Sequence, residues 1–85
     1  MNHTKTIKAI AERSQVEAPT CEQVVKAYEK YGEQNITRTS RKHMAAIVEW
    51  ISSETTIEPT TCEVVMNELF DLFAEETKKK IPFMK

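Results

Sequence analysis

"VEAPTCEQVV" (residues 16–25) and "IEPTTCEVVM" (residues 57–66) are two versions of one phrase within a chain of 85 residues. When the chain is slid against itself by 41 positions, Val16 falls on Ile57 and Glu17 on Glu58. Thr20, Cys21 and Glu22 fall on Thr61, Cys62 and Glu63. Beyond the phrase, Ile7 meets Val48, Ile10 meets Ile51 and Val24 meets Val65. Val25, Tyr28 and Tyr31 meet Met66, Leu69 and Leu72. Identity and apolar phase are kept together over roughly thirty positions, which marks an internal repeat.

Each copy has helical spacing. Ile7, Ile10 and Ala11 form one stripe, and Cys21, Val24, Val25, Tyr28 and Tyr31 form a second. The second copy repeats this with Met44, Ile47, Val48 and Ile51, then Cys62, Val65, Met66, Leu69, Leu72 and Phe73. These are i, i+3, i+4, i+7 patterns, and no long stretch alternates with period two. The spacing predicts helices over 3–14, 18–33, 40–54 and 59–78. Asn2 or Thr4 is placed to cap the first, and Thr39 or Ser40 the third. Pro19 and Pro59 suit the first turns of the second and fourth, where a missing N–H costs little. The expected layout is one domain over 1–85: repeat one at 1–34, a linker at 35–40, repeat two at 41–80 and a tail at 81–85.

A single helical hairpin has one apolar face and nothing to bury it against. Two hairpins related by an approximate two-fold cover each other. The expected fold is therefore all-α, four helices forming a pseudo-dimer within one chain. A chain of this length buries only about two-thirds of its unfolded surface, so the core is small. One Gly and three Pro are too few for a sandwich or barrel rich in turns. No apolar run approaches the roughly 20 residues that span a bilayer, and the N-terminus lacks a signal-peptide core. The expectation is a soluble, cytoplasmic chain, monomeric or a homodimer, with no membrane association.

Charge is distributed unevenly around a formal net charge of −1. Residues 1–35 hold five bases and five acids. Residues 36–43 hold Arg38, Arg41 and Lys42 with no acid. Residues 44–77 hold eight acids and no Lys or Arg, after which Lys78, Lys79 and Lys80 follow. Cys21 and Cys62 are too few for a disulfide scaffold, and with His3 and His43 they show no zinc-ligand spacing. They read as small buried residues at equivalent helix positions, kept as thiols in a cytoplasmic setting.

The stretch "MNHTKTIKAIAERSQVEAPTCEQVVKAYEKY" resembles the start of the HU/IHF-type bacterial histone-like proteins. That family opens M-N-K-T-x-x-I-x-A-I-A, matched here by Met1, Asn2, Thr4, Ile7, Ala9, Ile10 and Ala11. Val16, Val25, Ala27 and Tyr28 sit where the family places its turn hydrophobe and second-helix core. Ile47, Val48, Ile51, Ile57, Met66 and Leu69 fit the same template more loosely, and "KKKIPF" resembles the family's entry to its first strand. Lys5 departs from it, replacing the acid that completes the first capping box. The resemblance implies the dimerising helices twice over, without the sheet and β-arms that contact DNA. It therefore implies fold more than DNA binding.

No catalytic signature is present: no G-x-S-x-G, no phosphate-cradling glycine loop, no HExxH. The expectation is a non-enzymatic chain without metal or cofactor. Trp50 and Phe70 lie at the edges of their stripes and replace Ala9 and Glu29 of the first copy. With Phe83 of the tail they are the candidate protein contacts. Arg38, Arg41 and Lys42, with Lys78, Lys79 and Lys80, are the candidate nucleic-acid contacts. The leading expectation is a regulatory module that binds or antagonises an HU-type protein, as suits phage or mobile-element chains. The alternative is a DNA-binding, nucleoid-associated or transcription-regulating protein.

Overall fold

The computed structural model describes residues 3–80, with side chains described for residues 4–75. The order is α1 (His3–Ser14), α2 (Ala18–Gln34), a 3-10 turn (Arg41–His43), α3 (Met44–Thr55) and α4 (Pro59–Lys80). The fold is all-helical, with four α-helices and no strand among the described residues. Within each copy the two helices pack together, and across copies α1 packs on α4 while α2 packs on α3.

The two turns, between α1 and α2 and between α3 and α4, make matching hydrogen bonds. Ser14 Oγ donates to the Ile10 carbonyl at 2.6 Å, and Thr55 Oγ1 to the Ile51 carbonyl at 2.7 Å. The backbone N–H groups of Val16 and Ile57 then donate back to those same hydroxyls, each at 3.2 Å. Cys21 N–H reaches the Glu17 carbonyl and Cys62 N–H the Glu58 carbonyl, both at 3.0 Å. The thiols repeat too, with Cys21 Sγ donating to Val16 O at 3.5 Å and Cys62 Sγ to Ile57 O at 3.7 Å. Cysteine recurs because it is small enough for the hairpin corner and its S–H ties the new helix to the turn.

Between helices the chain turns through Gln15 and Thr56, each at φ 61°. This left-handed conformation ends a helix and normally falls to glycine or asparagine. A β-branched threonine there is strained. Replacing Thr56 by Gly is expected to raise stability by about 1 kcal/mol, and Gln15→Gly by somewhat less. Urea denaturation of both variants measures this; a loss of stability in either would show the turns to be relaxed.

The core follows the apolar stripes. Ile10, Ile51, Cys21, Cys62, Val24, Val65, Met66 and Ile47 are fully buried, and Ile7 and Val48 match at 9% exposure each. No buried side-chain polar atom among the described residues lacks a hydrogen bond.

Three expectations change. Helix α3 starts at Met44 rather than near 40, because His43 N–H bonds to the Ser40 carbonyl and winds residues 41–43 as a 3-10 turn. Neither Thr39 nor Ser40 caps α3; His43 holds that position without a side-chain bond. The Thr39 carbonyl instead accepts the Tyr28 hydroxyl at 2.6 Å. Thr4 lies inside α1 rather than at its cap, and Asn2 is outside the described residues. Pro19 and Pro59 do stand in the first turns of α2 and α4.

Candidate functional site: the charged rim of the bundle

The two candidate rings are half-buried and packed on the core. Trp50 meets Tyr31 edge-on, with ring centroids 5.7 Å apart, and Phe70 meets Tyr28 at 5.8 Å and 87°. Each ring thus joins hairpin two to α2 of hairpin one, a contact favourable beyond its buried area. Phe83 lies outside the described residues. Among the described residues the exposed large apolar side chains are Ile36 at 79% exposure, Val64 at 42% and Phe73 at 38%. Ile36 is in the linker, an exposed hydrophobe that its polar surroundings in the sequence did not single out.

Arg41 joins the two candidate sets. Its guanidinium lies 5.6 Å from the Phe70 ring centre, donates to Asp71 at 2.8 Å and to the Asn67 carbonyl at 3.1 Å. This clamps the 3-10 turn that precedes α3 onto α4. Arg38 and Lys42 are exposed and make no ion pair among the described residues. The side chains of Lys78, Lys79 and Lys80 lie outside the described set.

Arg13, Lys26 and Lys30 are engaged as well, while Lys5 and Lys8 are exposed and make no ion pair among the described residues. Arg13, at the end of α1, spans two acids of α4: Glu68 at 3.1 Å and Glu75 at 2.7 Å. Its pKa is raised first by the hydrogen bond to Glu75, then by the charges of Glu75, Glu68 and Asp71, with desolvation opposing. Lys30 of α2 pairs with Glu54 of α3 at 3.4 Å, and Lys26 with Glu22 at 3.6 Å within α2. On hairpin two, Glu49, Glu58 and Glu63 are exposed and make no ion pair among the described residues.

Two open grooves run along the outer sides of the hairpins. One, of ≈ 720 Å³, is lined by Ile7, Lys8, Ala11 and Pro19 between α1 and α2. Its counterpart, of ≈ 400 Å³, is lined by Val48, Glu49, Ser52 and Pro59 between α3 and α4. Lys8 and Glu49 are repeat-equivalent, so at that one position the first groove carries a cation and the second an acid, although Glu12, Glu17 and Glu22 also line the first. Glu58 precedes Pro59, and Glu63 lies one helical turn beyond it.

The two thiols are the nucleophile candidates to weigh among the described residues. Burial pushes both thiols up, Cys21 with a small opposing pull from Ser14, which leaves them poor nucleophiles. Both are free and buried. A thiol whose pKa is raised by folding keeps its proton where the unfolded chain has lost it. Its stabilising share is complete below the unfolded thiol's range, about pH 8.5, and disappears as pH rises toward the folded value. Stability is therefore expected to fall as pH rises above about 8, and the Cys21→Ala/Cys62→Ala variant to flatten that slope. Equal slopes would remove the thiols from the account. Among the described residues no group of His, Cys, Asp or Glu could hold a metal ion, and no helix is long and apolar enough to cross a membrane.

No protein family, curated protein or solved structure matches the chain.

Proposed function

We propose that the chain is a non-enzymatic protein-interaction module, an intrachain pseudo-dimer of HU-like hairpins whose partner is a basic protein of nucleoid type. The carrying observation is how charge is disposed. Arg13, Lys26, Lys30 and Arg41 are held by the chain's own carboxylates. On hairpin one the exposed acids without ion pairs among the described residues, Glu12, Glu17 and Glu33, stand with the free cations Lys5 and Lys8. On hairpin two Glu49, Glu58 and Glu63 stand exposed without ion pairs, and residues 44–77 hold no Lys or Arg. Cations already neutralised release few counterions from DNA, so their share of phosphate binding is small. A face of unneutralised acids attracts a cationic protein and repels the DNA that such a protein binds. An acidic hairpin seated on an HU-type protein would occupy the place of phosphates, which makes antagonism the natural outcome. The packing of α1 on α4 and α2 on α3 supports the two-fold reading, because exchanging the hairpins maps one contact onto the other.

A second reading keeps DNA as the partner. It is favoured by Arg38 and Lys42, exposed on either side of the Ser40 turn, with Ile36 beside them. Titrating the purified chain against an HU-type protein and against duplex DNA, at about 50 and 300 mM salt, separates the two. Binding to the basic protein with release of its DNA is the expected result. Salt-sensitive binding to DNA alone would replace it by the second reading, and binding to neither would remove both.

A further inference from the structure

The ion pairs across the bundle have opposite polarity at the two places where hairpin meets hairpin. On one side Arg13 of α1 reaches Glu68 and Glu75 of α4. On the other, Glu54 of α3 reaches Lys30 of α2. In the repeat register Glu54 is the equivalent of Arg13, and Asp71, which also acts on the Arg13 charge, is the equivalent of Lys30. The same junction is built twice with its signs reversed. Sign reversal has a consequence for pairing. A bundle made from two copies of α3–α4 would set Glu54 among Glu68, Asp71 and Glu75 of the other copy. A bundle made from two copies of α1–α2 would set Arg13 against Lys30. Only the mixed pair satisfies both junctions.

We propose that these junction charges make the hairpins selective for each other, so that α3–α4 rejects its own kind. It accepts only a hairpin with a cation at the position of Arg13. Like charges facing each other at two junctions, related by the two-fold, penalise the wrong pair twice while the right pair gains twice. Glu68 strengthens the effect, since its side chain is only 25% exposed and an unpaired charge there is poorly solvated. The proposal shares the two-fold reading but needs no foreign partner, so failure to bind a basic protein would leave it intact.

The test uses the folded chain carrying a protease site after Ile36, where the linker is open, cut after folding and dissociated and reassociated at low salt. Native mass spectrometry is expected to find mixed pairs, with α3–α4 self-pairs at least about 100-fold rarer. Glu54→Arg, which sets a cation among Glu68, Asp71 and Glu75 of a second copy, is expected to raise those self-pairs at least about tenfold. Self-pairs of the unaltered hairpin in statistical amounts, or none gained with Glu54→Arg, would overturn the proposal. Should the cut halves separate and unfold, the intact chain decides. Arg13→Glu is then expected to melt about 4 °C below Arg13→Gln at low salt, and Glu68→Lys with Glu75→Lys to restore it. Equal melting of the Glu and Gln variants would count against selectivity by charge.

Discussion

Ile51→Ala is expected to lower the unfolding free energy by about 3 kcal/mol, and Ile10→Ala by a similar amount. Both side chains are fully buried at equivalent places in the two copies, on the last full turn before the hairpin corner. Truncation removes three methyl or methylene groups and leaves a cavity that helices anchored on both sides fill poorly. A chain of this size has roughly 4–13 kcal/mol of stability in total, so either substitution takes a large part of it. Urea denaturation with an unchanged slope would assign the loss to the core itself. A cost below about 1 kcal/mol at either site would mean that the core there is loose. Strongly unequal costs would mean that the two copies no longer share one architecture.

The four helices and their buried stripes were legible before any coordinates, because the apolar register is a local property. Ile7 with Val48, Cys21 with Cys62 and Val24 with Val65 keep the same phase in both copies, and each pair is equally buried. The hairpin corners were half legible. Val16/Ile57 and Glu17/Glu58 announce a repeated turn, yet nothing in a sequence says that Gln15 and Thr56 take left-handed backbone, since neither is the residue that prefers it. The start of α3 was misplaced because residues 41–43 wind as a 3-10 turn on the Ser40 carbonyl, which a rule that looks only for a capping side chain does not see.

The charged rim was the least legible part. Arg41 read as a candidate nucleic-acid contact, whereas its partners Asn67, Phe70 and Asp71 lie on a helix that only the fold brings near. Arg13 carried no signal by itself. Its role could have been found in the repeat alignment, where Arg13 falls on Glu54 and Lys30 on Asp71, opposite signs at matched positions of an otherwise conservative duplication. Trp50 and Phe70 were visible as surplus rings, but composition does not say that Tyr31 and Tyr28 would be waiting for them.

Reversing Glu49, Glu58 and Glu63 to Lys is expected to weaken association with a basic HU-type protein at least about 100-fold at 50 mM salt. The three carboxylates are exposed and hold no ion pair, so their removal breaks nothing inside the bundle. Melting is expected to shift by no more than about 4 °C, as is usual for surface substitutions on a domain of this size. The formal net charge moves from −1 to positive, and the same variant is expected to gain salt-sensitive affinity for duplex DNA. Opposite movement of the two affinities is what separates an electrostatic contact from a general loss of fit, because a damaged fold would weaken both. The salt series adds a second constraint. The difference between variant and parent should shrink as salt rises from about 50 to 300 mM, over which the Debye length falls below about 10 Å. A variant that still binds the basic protein as the parent does, at low salt and with its fold intact, would place the contact elsewhere. Ile36 and the Arg38–Lys42 turn would then be the surface to change next, with DNA as the partner to test first.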